Sequence, residues 1–228
     1  MIAGLLLCGL AAFAQPDFSA LKYGVRAGFG IGSVDTKYEG DDPETMGGFQ
    51  LHAGVFAELP VWNFVSVTTE VQLEHTGISD RIKKMHMEGT GMAGATIFTE
   101  TYTKFPINYI HIPILAKVRF LEDLLYVEAG PQLGFLVGRV NTHVESEVTT
   151  KLNIGGSSTT NTETDTDDTD HFKKGHFAFD MGWGFKINNL EFGVRVGLGL
   201  SDLQAPDYKV DGVHVGHTDI QVAARYYF

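Results

Sequence analysis

The acidic segment TTNTETDTDDTDH at residues 159–171 carries the side chains best suited to binding a hard cation. Asp165, Asp167, Asp168 and Asp170 supply carboxylate oxygens of the kind that Ca²⁺ prefers. The fixed glycine and distal glutamate of an EF-hand loop are absent from this segment, and low hydrophobicity with high charge is typical of a mobile surface loop. We therefore interpret residues 141–174 as a solvated loop and predict no metal site.

A second segment, Met85-His86-Met87, has soft ligands that could bind copper. Its neighbours Arg81, Lys83 and Lys84 could instead contact anionic lipid headgroups. Neither pattern has a defining spacing, so an ordinary loop is the favoured interpretation of this segment.

Catalysis would need a nucleophile, an acid or a base at a defined place. The sequence contains no GxSxG, HExxH, P-loop or dinucleotide-binding motif. Several polar residues fall near predicted strand ends, but their spacing specifies no reaction; they are His75, Asp80, His143, His176 and His217. We predict a protein that is not an enzyme and that uses no cofactor.

The N-terminal residues 1–14 are predicted to be an export signal. Residues 2–13 are apolar, and Ala12-Phe13-Ala14 has the A-x-A form of a cleavage site before Gln15. No Lys or Arg precedes the apolar run, so the true start is expected to lie further upstream. Cys8, the single cysteine, falls within this signal, so residues 15–228, the predicted barrel domain, have no thiol chemistry.

The charge and hydropathy of the chain exclude two further classes of protein. A formal net charge of −11 argues against nucleic acid as a partner. No run of eighteen apolar residues follows the N-terminus, which excludes a spanning helix. A β-barrel could still cross a membrane, because its strands need apolar residues on one face only.

Alternation of apolar with polar or glycine residues recurs along the chain and predicts strands. The alternating segments are about as long as a tilted strand that crosses a bilayer. There are eight of them, at residues 23–31, 49–59, 65–74, 110–120, 127–135, 177–187, 191–200 and 219–228. The fold expected from this pattern is all-β, an eight-stranded antiparallel up-and-down transmembrane β-barrel.

The connections between these strands alternate between short and long. The short ones lie at residues 60–64, 121–124 and 188–189, and the long ones at residues 33–48, 77–107, 138–175 and 201–218. In an up-and-down barrel all long connections then meet at one end. Outer-membrane barrels have long loops outside the cell and short turns inside, so we expect extracellular loops and periplasmic termini.

The residue types on the polar face of the strands indicate which side points inward. It carries acidic and basic residues in near balance together with many glycines, which suits a narrow interior filled by ion pairs. The opposite face is apolar, as a lipid-facing band must be, since a charge at the midplane costs about 2–4 kcal/mol. A soluble lipocalin-like barrel with an apolar ligand cavity is the alternative. The predicted interior charge network is Arg26, Glu58, Glu70, Glu74, Lys117, Arg119, Glu128, Asp180, Lys186, Glu191, Arg195, Asp219 and Arg225.

The central hairpin, NYIHIPILAKVRF at residues 108–120 and YVEAGPQLGFL at residues 126–136, resembles the PorT-like outer-membrane β-barrel family of Bacteroidetes-type bacteria. EVQLEHTG at residues 70–77, NLEFGVRVGLGLSDL at residues 189–203 and the terminal QVAARYYF also fit this family. His111 stands where the family often has an acidic residue. The resemblance implies an outer-membrane barrel and, by analogy with some relatives, an accessory role in protein secretion.

The last strand ends with an aromatic residue and has outward apolar residues at every second position. In the resembling proteins such an ending is read by the barrel-insertion machinery, which implies an insertion signal formed by Ile220, Val222, Ala224, Tyr226 and Phe228.

The function expected from the sequence is structural or interactive. The predicted partners are outer-membrane lipid, lipopolysaccharide, the insertion machinery and a protein at the long loops, with the barrel itself a monomer. A narrow solute or ion pore is the alternative, although eight strands leave room only for side chains.

Overall fold

The computed structural model describes residues 18–38, 44–88, 95–152, 155–167, 169–208 and 213–228. The predicted export signal at residues 1–14 lies outside these residues. Three short 3-10 helices occur in the described part, at Phe18–Ala20, Thr169–His171 and Pro206–Tyr208. None of the described helices has the length and apolar content needed to span a membrane.

Ten antiparallel strands make up almost all of the described chain. They are β1 (Lys22–Tyr38), β2 (Glu44–Trp62), β3 (Val65–Glu88), β4 (Ala95–Phe120), β5 (Leu125–Leu136), β6 (Asn141–Leu152), β7 (Ser157–Asp167), β8 (Gly175–Ile187), β9 (Leu190–Gly199) and β10 (Val213–Tyr227).

Eight of these strands form a closed ring. Each strand pairs with the next in the order β1, β2, β3, β4, β5, β8, β9 and β10, and β10 pairs back onto β1. The closing ladder runs from Gly24 opposite Tyr227 to Tyr38 opposite Val213. Closure leaves no free edge around the ring, which a spanning sheet requires. The predicted eight-stranded up-and-down barrel is confirmed.

The short turns all lie at one end of the ring. β4 turns into β5 through Leu121, Glu122 and Asp123, whose φ angles of 54°, 56° and 68° are left-handed. Asn188 begins the turn from β8 to β9 with φ 53°, a conformation that asparagine tolerates well. The predicted connection at residues 60–64 is shorter than expected, because β2 continues past an irregularity to Trp62 and only Asn63 and Phe64 form the turn.

At the opposite end the sheet continues beyond the ring. β3 pairs with β2 up to Ser79, but its pairing with β4 continues from Ser79 opposite Lys104 to Glu88 opposite Ala95. There β4 exchanges its partner β5 for β6, and β6 pairs with β7. We call this four-stranded extension, residues 79–88, 95–104, 141–152 and 157–167, the projecting sheet. Ten residues of strand span about 33 Å.

The projecting sheet corrects two predicted loops, residues 77–107 and residues 141–174. Residues 77–107 were expected to form a loop, but most of them extend β3 and β4. The acidic segment, also expected to be a loop, supplies most of β7 through Asp167. The backbone of Met85, His86 and Met87 belongs to β3, so an ordinary loop was wrong for this segment, while its side chains fall outside the described ones.

Alternate residues of the ring face opposite environments. Leu73 is 62% exposed on the outside, whereas its neighbours Gln72 and Glu74 are 1% and 2% exposed on the inside. Phe29, Trp183 and Ile220 likewise point outward. The exterior is therefore apolar and the lumen polar, as lipid contact demands.

Candidate functional site

The lumen contains three layers of side chains stacked along the barrel axis. At the short-turn end lies an ion-pair layer built on Glu58 and Glu191. The ammonium of Lys117 donates to Glu191 Oε1 at 2.8 Å and to Glu58 Oε2 at 3.2 Å. Arg119 Nη2 donates to Glu58 Oε2 at 2.7 Å. The Tyr227 hydroxyl lies 2.8 Å from Glu58 Oε2 and 2.9 Å from Glu191 Oε2.

The ion-pair layer continues to the middle of the barrel. Arg195 Nη2 donates to Glu128 Oε1 at 2.7 Å, and Arg225 Nη2 donates to the same oxygen at 2.8 Å. Arg195 and Arg225 both also bind Glu70. These charges are almost fully buried. A buried charge is tolerated only when it is paired and hydrogen-bonded, so these contacts offset the desolvation of each group.

On the long-loop side of the ion pairs lies a second layer, which we call the histidine layer. It consists of His52, His111, His176 and His217 with Glu74, Asp180 and Asp219. Glu74 accepts hydrogen bonds from Gln50 at 3.2 Å and Gln221 at 3.3 Å, and its Oε2 lies 3.3 Å from His111 Nδ1. His111 and His176 pack edge to face with ring centroids 5.2 Å apart.

More than half of the buried side-chain polar atoms that lack a hydrogen-bond partner in the described residues belong to the histidine layer. Across the described ranges, both ring nitrogens of His52 and of His176 lack a hydrogen-bond partner within the protein. Buried polar groups normally have such partners. No three His, Cys, Asp or Glu side chains of the described residues are grouped so as to hold a metal ion.

An apolar cap closes the long-loop end of the lumen. It consists of Ile78, Phe105, Ile107, Tyr109 and Val140, all buried. Two segments of the long connection at residues 138–175 contact it. Val140 N donates to Thr169 Oγ1 at 2.9 Å, and the ring of Phe172 lies 6.4 Å from that of Phe105. The three layers together fill the lumen from one end to the other.

The structure places the predicted charge network on the inner face of the ring. Twelve of its residues are buried: Arg26, Glu58, Glu70, Glu74, Lys117, Arg119, Glu128, Asp180, Glu191, Arg195, Asp219 and Arg225. Lys186 is half-buried at the short-turn end, where its ammonium lies 4.3 Å from the centre of the Tyr227 ring. His111 contacts the network through Glu74.

Sequence reasoning missed several members of the lumen. The Tyr227 hydroxyl contacts the carboxylates of Glu58 and Glu191, but Tyr227 is not part of the predicted network. Gln72 and Gln221 accept hydrogen bonds from Arg26. The alternation that identified the charged residues could have identified these as well, because all three occupy inward positions.

Outside the lumen, one face of the projecting sheet carries a cluster of acidic residues, with Lys104 opposite His143 and Lys151 at the end of β6 on the same face. Glu100 of β4 lies opposite Glu147 of β6, and Glu145 of β6 lies opposite Glu163 of β7. These four glutamates line an open depression of about 430 Å³ together with Tyr102 and Asn161. We call this surface the acidic face. Like charges directly opposite one another destabilise a sheet.

His143 lies on the acidic face between two carboxylates. Its Nδ1 is 2.6 Å from Asp165 Oδ1 and its Nε2 is 3.1 Å from Glu145 Oε1. The hydrogen bond to Asp165, followed by that to Glu145, raises the pKa of His143. Asp167 accepts hydrogen bonds from the hydroxyl and amide of Thr169, which lower the pKa of its carboxyl.

The other polar residues that were predicted near strand ends lie in different parts of the structure. His75 points outward and its Nδ1 lies 2.7 Å from Asn108 Oδ1. His176 and His217 belong to the histidine layer, and the side chain of Asp80 falls outside the described ones. Of these predicted residues whose side chains are described, His176 and His217 come together, with ring centroids 6.1 Å apart.

The C-terminal residues of the predicted insertion signal point away from the lumen. Ile220, Val222, Tyr226 and Phe228 are exposed, and Ala224 is half-exposed. Phe228 is anchored to the first strand, since its amide donates to Tyr23 O at 3.0 Å and the two rings lie 5.9 Å apart.

Comparison with protein families gives one match. The family described as "Outer membrane protein beta-barrel domain" matches residues 13–205 of this sequence. No curated protein matches the sequence.

Several solved barrels are similar to this structure. Ail, the attachment invasion locus protein of Yersinia pestis, is 13% identical with a TM-score of 0.37, and the match covers 90% of this chain and 99% of Ail. Neisserial surface protein A is 10% identical with a TM-score of 0.35, over 90% of this chain and 97% of that one. The translocator domain of the autotransporter NalP from Neisseria meningitidis is 13% identical with a TM-score of 0.27, over 100% and 95%. Similarity at this level assigns no activity to this chain.

Proposed function

Because this chain belongs to the outer membrane protein beta-barrel domain family, we propose that it is an interaction protein whose projecting sheet contacts a partner outside the bacterial outer membrane. The observation that carries the proposal is the contrast between the two ends of β3 and β4. Their ring portions enclose a filled lumen, while their far portions hold β6 and β7 beyond the ring, where β7 is exposed throughout and no residue of β6 is buried. Residues that serve only to close a barrel would not need this extension.

A filled lumen argues against the alternative of a narrow pore. The ion-pair layer blocks the short-turn end and the apolar cap blocks the long-loop end. Eight-stranded barrels have an interior just wide enough for side chains. The outward apolar face likewise reverses the arrangement of a lipocalin-like barrel, whose apolar side chains line the cavity.

The proposed orientation places the projecting sheet outside the cell and both termini in the periplasm. Outer-membrane barrels have short turns on the periplasmic side, and all the short turns of this ring share one end. The lipid-facing band then contacts outer-membrane lipid and lipopolysaccharide, and the barrel acts as a monomer. An accessory role in protein secretion is compatible with such a contact, but no described residue argues for it separately.

Orientation is tested by cysteine labelling. If the export signal is removed, the mature chain has no cysteine, so Thr160→Cys in β7 and Asp123→Cys in the short turn each introduce one thiol. A membrane-impermeant maleimide added to intact cells should label Thr160→Cys and leave Asp123→Cys unlabelled until the outer membrane is opened. Labelling of Asp123→Cys alone on intact cells would reverse the proposed orientation.

The interaction itself is tested by photo-cross-linking in cells. A photoreactive amino acid replaces Glu147 on the projecting sheet or, as the control, Glu122 in the short turn. We expect a discrete protein adduct from position 147 and none of the same size from position 122. If position 147 forms no protein adduct while the barrel assembles normally, the proposed function is wrong.

A further inference from the structure

The projecting sheet has two free edges that differ in chemistry. Beyond Ser79, β3 has no partner on its outer side among the described strands, and this edge carries Arg81, Lys83 and Lys84. The other edge is β7, which in the described chain pairs only with β6. Natural sheets protect free edges with charged side chains, above all lysine, and with proline, bulges or short length.

β7 has acidic side chains but none of the other protections. It is 11 residues long, its sequence SSTTNTETDTD contains no Lys or Pro, and its register with β6 is continuous from Ser157 to Asp167. Its unpaired backbone amides and carbonyls therefore form a regular row that another extended chain could pair with. The sequence of the β3 edge thus includes basic residues, whereas that of β7 includes none.

The side chains of β7 separate by parity into two faces. Residues at even positions are all Ser or Thr, from Ser158 to Thr166. Glu163, Asp165 and Asp167 all occupy odd positions, and all are exposed. Because strand side chains alternate with a period of two, these three acids share the acidic face with Glu145 and Glu147 of β6.

We infer that β7 binds an extended segment of a partner protein by strand addition, and that this segment has Lys or Arg at every second position. The inference rests on the proposed function and names the partner chemistry of the same surface. Alternating basic residues would all lie on one face of the added strand, beside Glu163 and Asp165. Backbone hydrogen bonds would supply affinity, and the acidic face would supply specificity.

A second copy of this chain fits the same edge poorly. Antiparallel pairing of two β7 strands in register would place Glu163 and Asp165 of both copies on one face. The two Glu163 side chains would then lie diagonally across from each other, within reach of like-charge repulsion. A basic segment instead places positive charge beside the opposed Glu145 and Glu163.

The test uses the purified full-length barrel in detergent micelles and fluorescence anisotropy. The probe is a labelled decapeptide that alternates Lys and Thr. A block peptide with five Lys followed by five Thr has the same composition without the alternation. A third peptide has the probe sequence with N-methyl groups at every residue, which removes the backbone donors from both edges of the strand. Strand addition predicts that both control peptides bind at least tenfold more weakly than the probe.

Variants locate the binding surface. Glu145→Gln/Glu147→Gln/Glu163→Gln removes three charges from the acidic face while preserving side-chain shape, and should weaken probe binding at least tenfold. The matched control, Glu122→Gln/Asp123→Asn/Asp207→Asn, removes three charges elsewhere and should change binding less than twofold. Equal weakening by the two triple variants, or equal binding of the N-methylated peptide, overturns the inference in favour of general charge attraction. Absence of any peptide binding also overturns it, whereas the cross-link at position 147 separately decides the proposed function.

Discussion

Arg195 and Glu70 form a two-point ion pair across the full width of the lumen. Arg195 Nη1 donates to Glu70 Oε2 at 3.0 Å, and Nη2 donates to Glu70 Oε1 at 2.9 Å. Arg195 lies on β9 and Glu70 on β3, which are four places apart in the ring of eight strands. Bidentate pairs of this kind are among the strongest hydrogen-bonded contacts in proteins. The pair therefore joins opposite walls of the barrel.

The first prediction concerns this pair. Glu70→Gln or Arg195→Gln alone should lower the free energy of unfolding by about 3–5 kcal/mol, because each leaves a buried charge without its partner. The double variant should lose less than the sum of the two. Urea unfolding in detergent micelles, followed by the fluorescence of Trp62 and Trp183, measures both quantities. Additive losses would show that the two charges are not coupled.

The sequence predicted which residues of the ring face inward but not how they pair. Leu73 and Glu74 differ so strongly in polarity that parity alone assigns one to lipid and the other to the lumen. The contact between Glu70 and Arg195 joins residues 125 positions apart. It depends on how the ring closes, and a strand pattern contains no information about that.

The projecting sheet was missed because both of its faces meet water. Thr160, Thr162 and Thr164 alternate with Asn161 and Glu163, which is a period of two. Since neither set is apolar, the segment has no hydrophobic alternation, and its composition was interpreted as a loop. The acidic face was missed for the same reason, because opposed glutamates become neighbours only when β4, β6 and β7 pair.

The second prediction is that the barrel does not conduct ions. The lumen is occupied by buried ion pairs at the short-turn end and by the apolar cap at the long-loop end. In planar bilayers the purified protein should therefore show no stepwise conductance at moderate voltage. A large porin inserted in the same bilayer confirms that the assay detects channels. Reproducible steps that disappear when Lys117 is replaced by Met would establish the pore alternative instead.

The third prediction concerns the close approach of β5 and β4. A Cβ added at Gly130 would lie 2.1 Å from the backbone oxygen of Ile114, a contact that only backbone movement can relieve. Gly130→Ala should lower the free energy of unfolding by about 1–3 kcal/mol through overpacking. The control is Gly47→Ala, where the nearest atom would be 3.8 Å away. Urea unfolding should separate the two variants, and equal effects would contradict the predicted crowding at Gly130.

The fourth prediction is a pH dependence of the projecting sheet. Asp165 and Glu145 raise the pKa of His143 above its ordinary value of about 6.5. The stabilisation by the protonated imidazole is therefore complete below about pH 6.5 and is lost as pH rises through the raised pKa. Hydrogen exchange of β7 amides, compared between the wild type and His143→Gln, should differ at pH 6 and converge at high pH. A difference that is the same at both pH values would contradict this role.

The fifth prediction concerns the end of the chain. If the outward side chains from Ile220 to Phe228 form an insertion signal, Phe228→Ser should reduce the amount of assembled barrel in cells but not the yield of refolding into detergent micelles, where no machinery is present. Phe135→Ser is the matched control, since Phe135 is also an outward phenylalanine, 45% exposed, but lies within β5. It should leave cellular assembly close to the wild-type amount. Loss of refolding in micelles by Phe228→Ser would indicate that the ring contact between Phe228 and Tyr23 stabilises barrel closure, and that no recognition signal is needed to explain the defect.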